Sequence, residues 1–157
     1  MSTDPRSQKL KDKLAEIALV HTSKKLQELL LSVEGLKWMG YTESMETPFP
    51  PSSFWQRIIR IDAEPYAKIP KTTPDAELSL WLMECVRQLK LGSSCYLSVG
   101  GFNQLPWARI QIEVSNNWLL TLWNRGIREF VVLSFDQSSM LGITQEEWYY
   151  FAYLETI

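Results

Sequence analysis

Polar and apolar positions alternate most regularly between Cys95 and Phe135. Ala108, Ile110, Ile112 and Val114 interleave with Arg109, Gln111 and Glu113. Successive side chains of a strand point to opposite faces, so this run predicts a strand with one face on a core. The β-prone run Cys95–Val99 precedes it, and Gly100-Gly101 with the loop Asn103–Pro106 joins the two as a hairpin. Trp118, Leu119, Leu122 and Trp123 fall at helical spacing and predict a short helix. Gly126 would take the left-handed position that ends it, and a strand follows over Phe130–Ser134. The competing reading makes Trp118–Trp123 a strand and Asn124–Gly126 a turn. In the helical reading the strands around Ile112 and Val132 run parallel, joined by a right-handed crossover. Leu82, Ile110, Ile112 and Val132 are expected to share the core.

Elsewhere the period is mostly helical. Leu10, Leu14 and Ile17 lie on one stripe of a lysine-rich helix from Ser7 to about Val20. His21-Thr22-Ser23 shifts the phase, and Leu26, Leu29, Leu30 and Val33 define a second stripe, which predicts two helices or one bent helix. The proline-rich run Thr47–Ser53 reads as a linker, and Phe54–Ile61, rich in β-branched residues, as a strand, with a helix as the alternative. Thr73-Pro74-Asp75 opens a helix that carries Leu78, Trp81, Leu82, Cys85 and Leu89 on one face until Gly92. After a loop at Asp136–Met140, Thr144–Glu147 has the form of a capping box and predicts a final helix containing Trp148, Tyr149, Tyr150, Phe151, Tyr153 and Leu154. The expected fold class is therefore α+β, with N-terminal helices, a ferredoxin-like βαββαβ layer over residues 54–135 and a C-terminal helix. Residues 1–46 would form a helical arm and 47–157 an α+β core, packed together as one compact unit.

Composition adds bounds. At 157 residues, 45% hydrophobic and 22% charged, the chain has the size and make-up of one globular domain. No stretch approaches the roughly 18 apolar residues of a membrane span, and the start carries no apolar run, so a cytoplasmic protein without membrane contact is expected. Cys85 and Cys95 suggest buried reduced thiols rather than a disulfide framework or zinc site. A formal net charge of -2 argues against a generally basic nucleic-acid binder. The charge is uneven, because the last lysine is Lys90. Beyond Gln111, Glu113, Glu129, Asp136, Glu146, Glu147 and Glu155 face only Arg125 and Arg128.

Catalytic signatures are missing from the sequence: it has no P-loop, dinucleotide glycine fingerprint, nucleophile elbow or His-Glu-x-x-His. His21 has no Cys, Asp or Glu at ligand spacing. Asp62, Glu113 and Asp136, on or beside expected strands, could converge on a divalent cation, but the lysine of a carboxylate–lysine nuclease does not follow Glu113. No cofactor is expected. Trp81, Trp118, Trp123 and Trp148 read as core and Trp107 as exposed, while the basic and aromatic pattern of an RNA-recognition strand is absent from Trp107–Val114.

The remaining signal is a surface. On the expected final helix Tyr149 and Tyr153 lie together beside Glu146 and Glu147, with Asp136 nearby, an arrangement suited to a basic protein partner. Trp107, Arg109 and Glu113 extend the candidate contact set to the sheet. The sequence thus leads to a small inhibitor or immunity-type protein that masks a basic effector or toxin through this acidic, aromatic region. An adaptor or structural subunit, assembled through the N-terminal helices or the face bearing Arg109, Gln111 and Glu113, is the alternative. A metal-dependent enzyme using strand-end carboxylates is the second alternative. The residues do not determine the oligomeric state.

Overall fold

The computed structural model describes residues 4–43, 50–59, 63–113 and 118–157. Among these the chain forms four helices, α1 (Pro5–Leu31), α2 (Pro51–Ile58), α3 (Asp75–Arg87) and α4 (Trp118–Asn124). Seven strands accompany them: β1 (Leu36–Tyr41), β2 (Ala67–Pro70), β3 (Ser94–Val99), β4 (Ala108–Ile112), β5 (Phe130–Ser134), β6 (Ser139–Gln145) and β7 (Tyr149–Thr156). The strands make one sheet in the order β1-β4-β3-β5-β6-β7-β2, and every neighbouring pair is antiparallel.

This architecture is α+β but not ferredoxin-like. The central β3–β4 hairpin, α4 and β5 form where the pattern places them. Gly126 (φ +86°) ends α4, and the Ile127 N–H returns to the Leu122 carbonyl at 3.3 Å. β4 and β5 both run antiparallel to β3 and so point the same way, with β3 lying between them. The expected first strand is instead the helix α2. Pro51 supplies the pre-set φ of a first helical position, and Phe54, Trp55 and Ile58 bury one helical face. Side-chain burial there outweighs the strand preference of the β-branched residues. The remainder of the expected strand, residues 60 and 61, lies outside the described residues, as does the boundary between arm and core at 46 and 47.

Both ends of the chain also depart from expectation. The N-terminal segment holds one unbroken helix of 27 residues and then an edge strand, β1, rather than helices alone. No C-terminal helix forms. Thr144 and Gln145 end β6, and Glu146 and Glu147 enter the turn after it, where the Glu146 N–H donates to the Tyr149 carbonyl at 2.8 Å; β6 and β7 pair as a hairpin from Ser139–Thr156 to Gln145–Tyr150. Aromatic residues at consecutive positions cannot all be buried by one helix face, but a strand covered on both sides buries them alternately. Tyr150 and Ala152 enter one core layer and Tyr153 the other.

The two faces of the sheet are covered unequally. One packs against α3, α4 and the second half of α1, around Leu26, Leu30, Leu82, Leu97, Ile110, Leu122, Phe130, Val132 and Leu141. Leu82, Ile110 and Val132 are buried there as expected, while Ile112 is only half-buried near the sheet edge, opposite Leu36. The other face, carrying Tyr96, Trp107, Val131, Leu133, Met140 and Tyr153, receives α2. Gly142 makes that seat possible, since a Cβ at this position would lie 2.9 Å from Ile58 Cδ1 and 3.0 Å from Phe54 Cε1. Trp55 Nε1 donates to Ser98 Oγ at 2.9 Å, and Arg57 pairs with Glu155, tying the second half of the helix to β3 and β7.

Candidate protein interface

The residues of the expected acidic, aromatic surface separate in the structure. Glu146 and Glu147 are exposed at the β6–β7 turn, with half-buried Tyr149 beside them. Asp136 is exposed in the β5–β6 turn, at the opposite end of β6 and therefore roughly 20 Å away. There its carboxylate accepts from Ser134 Oγ at 2.6 Å and from Ser138 Oγ and N–H at 2.7 and 3.0 Å, bonds that hold its pKa below the ordinary aspartate value. Tyr153 shares a sheet face with Tyr149 but is only 8% exposed, and burial, with Glu146 adding to it, raises its phenol pKa.

The charge around Tyr149 is also mixed. β2 pairs with β7, bringing Lys68 Nζ to 4.9 Å from the Tyr149 ring and Lys71 Nζ to 5.6 Å from that of Tyr150. These lysines lie some eighty residues upstream, so the acidic surplus of the C-terminal sequence does not become an acidic surface of the same extent. Two tryptophans exchange their expected places. Trp107 is fully buried under α2, whereas Trp148, at the hairpin tip beside Glu147, is 70% exposed. Trp118 and Trp123 are core residues, as expected.

Arg109 and Gln111 lie on the α2-covered face, beyond the helix itself. With Met39, Ser94 and Phe135 they border a shallow groove of about 270 Å³. Phe135 is exposed and stacks on Tyr96, with ring centres 5.7 Å apart. Glu113 stands exposed just past the end of β4, where its N–H donates to the Gly35 carbonyl at 2.9 Å. Among the described residues no three His, Cys, Asp or Glu side chains gather as a metal site; Asp62 lies outside them. No helix of the described residues is long and apolar enough to cross a membrane. Both cysteines are buried, and burial pushes each thiol pKa up to about 12.

Comparison with known proteins adds nothing to this geometry. No family model, curated protein or solved structure matches the chain.

Among the described residues α1 carries more exposed large hydrophobic side chains than any other element. Its second half is anchored: Leu26 and Leu30 enter the core, Tyr41 Oη donates to the Ser23 carbonyl at 2.6 Å, and Arg125 Nη2 donates to the Ser32 carbonyl at 3.1 Å. Its first half is not, because every residue from Pro5 to His21 is exposed. At 1.5 Å per residue that run extends roughly 25 Å. Asp4 caps it by accepting from the Arg6 N–H at 3.1 Å, and Gln8 bonds Asp12 at 3.0 Å. Leu10, Leu14 and Ile17 are 60%, 56% and 65% exposed.

Among the described residues no element covers the first half on any side: even Leu19, in phase with Leu26 and Leu30, is 48% exposed, and the phase shift at His21 sets only which way the outer stripe points. At 100° per residue the Leu10–Leu14–Ile17 stripe points roughly 170° away from the stripe of Leu26 and Leu30. Since the helix does not bend to compensate, the half that seats on the sheet turns the other stripe outward. The sequence carried this signal, but a bend at His21-Thr22-Ser23 would have brought both stripes inward.

Proposed function

We propose that the protein acts by binding another protein, as an adaptor or inhibitor, with the projecting half of α1 as its principal contact surface. The observation that carries this reading is the row Leu10, Leu14 and Ile17. Three large aliphatic side chains stand in line, each more than half exposed, on a helix whose core-facing stripe is elsewhere. Aligned apolar exposure of this kind marks an interaction surface far more often than scattered exposed residues do. A helix also contributes little through propensity alone, and most helical stability comes from packing of an apolar face. A partner would supply that packing.

The β6–β7 tip supports a second reading, closer to an inhibitor of a basic effector or toxin. Glu146, Glu147 and the exposed indole of Trp148 form a compact acidic and aromatic tip suited to a basic pocket. One experiment separates the two. Cross-linked complexes are recovered from the native cell with the wild-type chain, with Leu14→Glu and with Glu146→Lys/Glu147→Lys. Loss of the same partner with Leu14→Glu alone supports the helix reading, and loss with the charge reversals alone supports the tip. Retention of every partner in both variants would remove both surfaces.

A further inference from the structure

Spacing and charge along the exposed stripe limit what can cover it. Leu10, Leu14, Ile17 and His21 follow one another at intervals of four, three and four, the repeat of a coiled-coil seam. α1 contains no Trp, Phe or Tyr, and the stripe is widened only near His21, by Val20, 54% exposed. An interfacial membrane helix instead presents a broad apolar face with aromatic residues at its border. Within the helix up to His21 the flanking positions are Arg6, Lys11, Lys13, Ala18 and Val20, and every charged one is basic; the capping Asp4 holds the next such position, before the helix begins. Asp12 and Glu16 fall on the opposite side of the helix, away from anything docked on the stripe. Flanking positions of paired helices face one another and set partner choice, so two copies of α1 joined along this stripe would oppose lysine to lysine.

On the reading of α1 as a contact surface, we infer that its occupant is an amphipathic helix of a different protein, carrying aliphatic residues in its seam and acidic residues along both flanks. A second copy of this chain and a lipid surface are the occupants this excludes. Association would be accelerated by the charge match and weakened by salt, because the flanking charges are exposed and screened.

The full-length chain is titrated, by fluorescence anisotropy, with two synthetic helical peptides of equal length that share Leu and Ile seams. One carries Glu at all flanking positions and the other Lys. The expected result is at least tenfold tighter binding of the Glu peptide, a preference that shrinks between low and high salt. Lys11→Glu/Lys13→Glu should invert the preference, and Leu14→Glu should abolish binding of both peptides while leaving the melting temperature of the chain unchanged. Equal affinity for the two peptides, or no binding of either, overturns the inference. So does a dimer in sedimentation that Leu14→Glu dissociates, which would make a second copy the occupant, or Leu14-dependent binding to vesicles containing phosphatidylserine in the absence of peptide binding. If Leu14→Glu unfolds the chain or leaves every native complex intact, the reading of α1 as an interface falls as well. If it breaks a native complex and the peptides are not discriminated, only the charge inference fails.

Discussion

The two halves of α1 are one continuous helix with opposite tasks. The C-terminal half commits Leu26 and Leu30 to the core and is tied by Tyr41 to β1 and by Arg125 to the loop that precedes β5. The N-terminal half carries a comparable aliphatic row and buries none of it. Hydrophobic content therefore does not tell the halves apart; what covers them does, since Leu19 is in phase with Leu26 and is still 48% exposed. Leu26 and Leu30 meet the sheet and are buried, whereas Leu10, Leu14 and Ile17 point away from it and stay exposed.

The largest effect that sharpens this contrast is expected at Leu30. Leu30→Ala should destabilise the chain by about 2–5 kcal/mol, measured by denaturant unfolding, because a fully buried side chain leaves a cavity. Thiol labelling near pH 8 offers a second readout. Cys85 and Cys95 are buried with pKa values pushed up to about 12, so both should resist labelling until the core opens. Leu30→Ala should hasten that labelling, and Leu14→Ala should not. Prompt labelling of the wild-type chain would break the assignment of these thiols to the core.

A smaller change is expected at the anchor between the halves. Tyr41→Phe removes the bond to the Ser23 carbonyl and should cost about 1 kcal/mol. Burial raises the pKa of this phenol, so the neutral form is favoured by the fold. Its contribution should be fully present below about pH 10, the ordinary tyrosine value, and be lost as pH rises through the higher folded value. In Tyr41→Phe that alkaline component of the unfolding curve should shrink. The smallest effect is expected at Leu14, where Leu14→Ala should change stability by less than about 0.5 kcal/mol. A loss above about 1.5 kcal/mol would mean that the exposed row is packed in solution, and the contrast between the halves would disappear.

Several elements were legible in the residues because their causes are local. The strict alternation of Ala108–Ile112 specified a half-buried strand, Gly126 ended α4, and the spacing of Leu78, Leu82 and Cys85 specified the core face of α3. The two aliphatic stripes of α1 were equally plain. Where the local signal was ambiguous, distant parts of the chain decided. Phe54, Trp55 and Ile58 pack as one helical face only because Gly142, far along the sequence, leaves room for them. The aromatic run from Tyr149 to Tyr153, just after a capping-box sequence, read as a helix, and pairing with β6 and β2 made it a strand with Tyr150 and Tyr153 buried on opposite faces. Trp107 was buried by the arrival of α2, and the acidic surplus around Tyr149 was interrupted by Lys68 and Lys71 from a neighbouring strand. Sequence alone determined the period of β4 and α3, the phase of the two α1 stripes and the glycine end of α4, which depend on neighbours within about one helical turn or one hairpin. Tertiary structure decided which apolar positions found a covering layer, because burial depends on what arrives from elsewhere in the chain, and so it also decided that Leu10, Leu14 and Ile17 would remain exposed.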